Sequence, residues 1–194
     1  FSNSFKLHLL FTNNIHGAIH EVPARFINPE FSPILAGGAG AFTYASKIRK
    51  EAKLKEDFVM LTDAGNIFQG SQLGTYDGGS NIIKWMNLMA YDAIVPGVRD
   101  FDQGVNNLSK LASEANFPFL ASNLEGVDGI EDYKIINANG VKIGLIGLIT
   151  PFISEGLLPE YYEGVAVSDL MKTLNTQIET VSYTHLRAHE TLTD

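Results

Sequence analysis

At 194 residues, with 45% hydrophobic and 19% charged, the chain is long enough for one globular domain with a sizeable core. Its formal net charge of -8 excludes an electrostatic hold on nucleic acid or on an anionic membrane surface. The lack of cysteine excludes disulfides and thiolate metal sites, and no apolar run approaches the roughly 18 residues of a membrane-spanning helix.

The first element is the stretch FKLHLLFTNNIHG, from Phe5 to Gly17. Leu7, Leu9, Leu10 and Phe11 read as a buried strand, and Asn13, Asn14 and His16 follow at its carboxyl end. In open α/β sheets that edge is where ligands bind. A long loop over 18–40 comes next, with prolines at 23, 29 and 33 and a GGAG run at its end. Ala41, Ala45, Ile48 and Ala52 then recur at helical spacing, which predicts a helix to about Lys55.

Phe58 to Thr62 is the second predicted strand, and it opens into LTDAGNIFQG and a Gly-rich loop through Gly79. Ser80 suits an N-cap for a helix carrying Ile82, Ile83, Trp85, Met86 and Met89, the last three read as core. Ala93 to Pro96 is the third strand, ending in PGVRDFDQG, before a helix over 105–115. A short strand at 119–121 follows. Two more, over 133–138 and 141–149, flank Asn139-Gly140, the strongest short-range hairpin signal. A last helix spans 168–180. Strands alternating with helices, plus one hairpin, predict a layered α/β sandwich with a largely parallel central sheet. Three of its strands deliver polar loops to one edge.

The end of the chain reads differently. VSYTHLRAHET, Val181 to Thr191, matches the in-frame translation of a transposase-type sequencing adapter over eleven consecutive residues. The competing reading is a helix end with His185 and His189 at i, i+4, a spacing that chelates metal. On the adapter reading, 1–180 is native and 181–194 is set aside from fold reasoning. The natural protein is then expected to continue further, and the start on FSNSFK without Met suits a fragment or a processed chain.

TNNIHG, LTDAGNIFQG, PGVRDFDQG, ASNLE and GVKIGLIGLITP stand in the order and approximate spacing of five sequence blocks of one family. Over most of 5–151 the chain resembles the N-terminal part of the catalytic domain of the 5'-nucleotidases, which belong to the calcineurin-like metallophosphoesterases. The resemblance implies the layered α/β sandwich of that superfamily, and a nucleotide or other small phosphate ester as substrate. It also implies two divalent metal ions, such as Mn or Zn, in active members. A C-terminal substrate domain beyond this sequence and a periplasmic or extracellular setting complete the family expectation. Two such ions about 3.5–4 Å apart repel by roughly 19 kcal/mol at an effective dielectric near 20, so the family surrounds them with carboxylates.

Carried over by position, the metal-site residues depart from that pattern. The first aspartate is Asn14, although His16 stands, and the bridging aspartate is Asn66. The third block's metal-binding Asn is Val98, its catalytic His is Arg99, and its Glu is Asp100. Two negative charges are gone and a permanent cation has been added. Candidate metal positions are therefore Asn14, His16 and Asn66 in degenerate form. Arg99 and Asp100 hold the catalytic positions, and Arg99, Asn14, Asn66 and His16 form a candidate anion site.

Three readings stay open at this point. One is a pseudoenzyme that keeps the scaffold and binds no cofactor. Another is a metal-free anion or phosphate-binding domain centred on Arg99, for which a surface pair of Arg99 with Asp100 or Asp102 is the plainer alternative. The third is an active phosphoester hydrolase using a single or incomplete metal site completed by downstream ligands. Asp63 reads as a loop cap, His20 as solvent-exposed and His8 as a satisfied histidine of the strand. A chain ending near Thr180 is also expected to leave one sheet edge and part of its core uncovered, and so to be poorly soluble.

Overall fold

A computed structural model describes residues 5–183. The predicted strands and helices occur in order, with short elements between them that the sequence did not announce: β1 (Leu7–Thr12), β2 (Val22–Pro23), β3 (Ile34–Leu35), α1 (Gly37–Leu54), β4 (Phe58–Asp63), α2 (Gln72–Thr75), α3 (Ser80–Met89) and β5 (Ala93–Ile94). Then come α4 (Val105–Glu114), β6 (Phe119–Leu120), β7 (Leu124–Glu125), β8 (Ile130–Glu131), β9 (Tyr133–Ala138), β10 (Val141–Ile146), β11 (Ala166–Val167) and α5 (Leu170–Val181). The main sheet runs β1-β4-β5-β6-β8, all parallel, so the carboxyl ends of β1, β4 and β5 lie side by side. The adapter-like tail beyond Tyr183, with His185 and His189, lies outside the described residues.

Helices α1, α3 and α4 pack into a core that includes Phe68, Ile82, Ile83, Met86, Met89, Phe101 and Phe119, all fully buried or nearly so. Burying each such side chain contributes about 1.5–3 kcal/mol. Met86 and Met89 sit in this core as predicted, while Trp85 lies at its edge and donates its indole N–H to the Gly38 carbonyl at 3.3 Å. Tyr91, Phe117 and Phe119 continue the aromatic packing from Trp85, ring to ring at 5.9–6.1 Å.

Four details correct the sequence reading. Leu7, Leu9 and Phe11 are exposed rather than buried, Phe11 at 74%, because alternate residues of β1 point away from the helices while Leu10 joins the core. The loop over 18–40 contains the β2–β3 pair and ends earlier, since α1 starts at Gly37. A Cβ on Gly38 would lie 2.7 Å from the Trp85 indole nitrogen, so the glycine run is needed for close packing. Ser80 is the first residue of α3 and not its cap; Gly79, in the left-handed region, takes the cap position. The N-cap of α5 is Asp169, whose carboxylate accepts the Lys172 N–H at 2.8 Å.

The β9–β10 hairpin forms as predicted, with φ +51° at Asn139 and +92° at Gly140, the two positive values a type I′ turn requires. The Asn139 side chain also donates to the Glu56 carbonyl at 2.7 Å and ties the turn to the loop before β4. Leu145 and Ile146 of β10, with Phe11, Thr62, Asp63, Ile94 and Leu120, line a groove of about 220 Å³.

Candidate functional site

The site grows from three loops joined by backbone and side-chain hydrogen bonds. The loop after β1 runs beside the loop after β4: the N–H groups of Asn14, His16 and Gly17 donate to the carbonyls of Gly65, Asn66 and Ile67 at 2.8–2.9 Å. Asn14, His16 and Asn66 all have left-handed backbones, with φ of 54°, 50° and 59°. Asparagine tolerates that region better than most residues; His16, with a larger side chain, is held there by its neighbours.

Asp100 fastens the third loop to the second. It is fully buried. One carboxylate oxygen accepts the N–H groups of Gly97 and Asn66 at 2.8 Å each, and the other accepts that of Ile67 at 2.7 Å. The Phe68 N–H also bonds to this carboxylate. Expected beside Arg99 at a catalytic position, Asp100 is therefore turned inward, because four backbone donors converge on its carboxylate. Two glycines let the loops approach: a Cβ on Gly65 would lie 2.3 Å from the Gly97 nitrogen, and one on Gly97 would lie 2.3 Å from Asn66 Oδ1.

The side chains at the metal-ligand positions satisfy one another. The Arg99 backbone N–H donates to Asn66 Oδ1 at 2.9 Å, and this fixes the orientation of the Asn66 amide. Its Nδ2 then donates to Asn14 Oδ1 at 2.7 Å. An amide hydrogen thus lies between two oxygen-bearing side chains. His16 Nδ1 lies 2.8 Å from the Gln69 carbonyl, which can only accept, so Nδ1 carries the proton and the neutral ring keeps its lone pair on Nε2. Among the described residues, no group of three or more His, Asp or Glu side chains could hold a metal ion.

Arg99 and Val98 face other partners. The guanidinium lies 3.6 Å from Asp102 and donates to the Gly156 carbonyl at 3.3 Å, with half of the side chain exposed. Val98 packs against the core. Gly156 stands 57 residues from Arg99 and carries no sequence signal that would have linked them.

Asp63 lies under the site, where it accepts the Gly65 N–H at 2.6 Å and the Thr12 hydroxyl at 2.5 Å, while Tyr91 O–H lies 2.7 Å from the same Thr12 oxygen. Its capping of the second loop follows from these bonds. His8 Nε2 meets Asp57 at 3.1 Å, and His20 is exposed. Ser122 Oγ donates to the Asp132 carbonyl, and Asn123 bonds both the N–H and the carbonyl of Ile149.

Burial pushes the Asp63 carboxyl up to about 6, against the hydrogen bonds from Thr12 and Gly65, with Asp100 adding repulsion. Burial likewise pushes Asp100 up to about 6, against the backbone donors that favour its ionised form. An unfolded aspartate titrates near 3.8, so the folded chain binds these protons more tightly. The stability they contribute is fully present below about pH 4 and lost as pH rises through about 6. Thermal melts should therefore show a higher Tm at about pH 5 than at about pH 7.5. A Tm that does not rise at the more acid pH would mean that neither carboxyl is raised in the folded protein.

No family model matches the chain. A snake venom 5'-nucleotidase of Crotalus adamanteus is 34% identical over 158 residues, covering 77% of this chain and 26% of that protein. A 5'-nucleotidase of Rattus norvegicus is 30% identical over 192 residues, covering 90% and 33%. The chain thus spans about a quarter to a third of the length of these relatives. Among solved structures, a 5'-nucleotidase precursor from Thermus thermophilus superposes with a TM-score of 0.78 at 22% identity, over 94% of this chain and 36% of that one. A calcineurin-like phosphoesterase from Bacillus subtilis gives 0.70 at 24%, over 93% and 59%.

The fold is that of the calcineurin-like phosphoesterases. Over most of its length the chain is similar to the N-terminal region of the 5'-nucleotidases. No helix among the described residues is long and apolar enough to cross a membrane.

Proposed function

We propose that this chain is a phosphoesterase-like domain whose two-metal centre has been lost, so that it serves as a pseudoenzyme scaffold. The observation that carries this reading is the Asn66–Asn14 amide bond, oriented by the Arg99 N–H. Paired carboxylates at these two positions would repel each other and call for a cation between them. The amide hydrogen removes that need, and neutral carbonyl oxygens offset little of the charge of two divalent ions. Val98 has no donor atom to contribute. The residues present do not fit a two-metal centre.

Asp100 then has a positioning part, since it holds the second and third loops together from inside. The test is phosphate release from a nucleoside monophosphate with Mn²⁺ or Zn²⁺ supplied, together with the metal content of the purified protein. The expected result is neither metal-dependent turnover nor bound metal. Stoichiometric metal with turnover would favour an active hydrolase that completes its site with ligands outside this sequence.

A second reading is favoured by the Arg99 guanidinium, which is half exposed and held by contacts of 3.3 and 3.6 Å. With Asn14, Asn66 and His16 it would form a metal-free site for phosphate or a nucleotide, since guanidinium binds such anions in a bidentate way. Phosphate binding that survives chelator and is lost in Arg99→Ala is the required result. An extracellular or periplasmic setting accords with relatives named as venom proteins, and the substrate domain of the longer relatives would be the partner of this region.

A further inference from the structure

The two third-loop residues that depart most from the family pattern both touch one short segment. Val98 and Arg99 meet the strap 152–158, which carries a single 3-10 turn at Ile153–Glu155. The Arg99 guanidinium donates to the Gly156 carbonyl at 3.3 Å. A Cβ added to the same Gly156 would lie 3.3 Å from Val98 Cγ1. Ile153 is buried in the core and Leu157 packs on it, as does Val98.

The N–H groups over 152–156 make long, local hydrogen bonds: Phe152 N–H to Thr150 Oγ1 at 3.3 Å, Glu155 N–H to the Phe152 carbonyl at 3.2 Å, and Gly156 N–H to the Ile153 carbonyl at 3.4 Å, whereas at the strap's end the Leu158 carbonyl accepts the Tyr161 N–H at 2.9 Å. Phe152 and Leu158, at its two ends, are exposed. Bonds of this kind hold a segment weakly.

We propose that Val98 and Arg99 form a two-point clasp that fastens the strap 152–158 to the third loop. The apolar contact seats Gly156, and the guanidinium holds its carbonyl. Asp102 lies 3.6 Å from the same guanidinium. The positions that serve a reaction in the family pattern would thus serve a tertiary contact here. The clasp does not depend on whether the chain binds metal or hydrolyses anything, so its failure and the failure of the proposed function can be told apart.

Hydrogen exchange of the intact protein, read by mass spectrometry or NMR, tests the clasp. In Arg99→Ala the amides of Glu155, Gly156 and Leu157 should exchange roughly three- to ten-fold faster, the effect of losing one half-exposed hydrogen bond on a local opening. Amides of β1 and β4 should keep their protection. Asp102→Ala should leave strap exchange within about two-fold of the parent, because the Gly156 bond survives. Unchanged strap exchange in Arg99→Ala would overturn the clasp. So would equal acceleration in Asp102→Ala, which would make the ion pair the fastener, or a uniform acceleration that includes β1 and β4.

Discussion

Replacing Asp100 by alanine should destabilise the protein by about 3–5 kcal/mol, a large fraction of the roughly 5–15 kcal/mol that holds a typical domain folded. The residue has no exposed surface, and its two oxygens accept from Gly97, Asn66, Ile67 and Phe68. Alanine leaves those backbone N–H groups buried without acceptors and leaves a cavity as well. At about 2–4 °C per kcal/mol for a chain of this size, the midpoint should fall by roughly 6–20 °C. Asp100→Asn should cost somewhat less, since one oxygen remains while the new amide N–H₂ group faces backbone donors. Thermal or urea melts measure both effects. A loss below about 1 kcal/mol in Asp100→Ala would mean that the second and third loops do not depend on this carboxylate.

Asn66→Asp should produce the second large effect, about 2–3 kcal/mol of destabilisation at neutral pH. The Arg99 N–H would still find an acceptor, but the other carboxylate oxygen would face Asn14 Oδ1 at the 2.7 Å now spanned by an amide hydrogen. A bond becomes a repulsion. The repulsion raises the pKa of the new carboxyl above its unfolded value, so the penalty is present at high pH and fades as pH falls through that raised value. Melts at neutral and acid pH should therefore bring variant and parent closer together on the acid side. A variant as stable as the parent at neutral pH would mean that the two amides do not pair.

Much of this arrangement could be read in the sequence, for identifiable reasons. The hairpin was legible because Asn139-Gly140 is among the few dipeptides that accept two positive φ values in succession. The helices over 80–89 and 105–114 showed themselves through apolar spacing, which survives whatever packs against them. The first strand was placed, yet Leu7, Leu9 and Phe11 were read as buried, since an apolar run does not say which face of a sheet is covered. The start of α1 was hidden because GGAG has loop propensity, and only the approach of Gly38 to Trp85 explains why a helix begins there.

At the site, the sequence brought Asn14, His16, Asn66 and Arg99 to one edge through the order of the strands. It could not show how their side chains pair. The Asn66 amide is oriented by a backbone N–H 33 residues away, and Asp100 turns inward toward the N–H groups of Asn66 and Ile67, just as distant. Those bonds exist only once three loops have met. The Gly156 partner of Arg99 belongs to the same class of fact.

On the proposed function an amide pair has replaced the cations at Asn14 and Asn66, and metal-dependent melting tests this most directly. Anything that binds the folded state alone raises its stability with ligand concentration. The melting temperature in excess EDTA should match that in about 1 mM Mn²⁺ or Zn²⁺ to within about 1 °C. A rise that grows with metal concentration, and disappears in Asn66→Ala, would contradict the account.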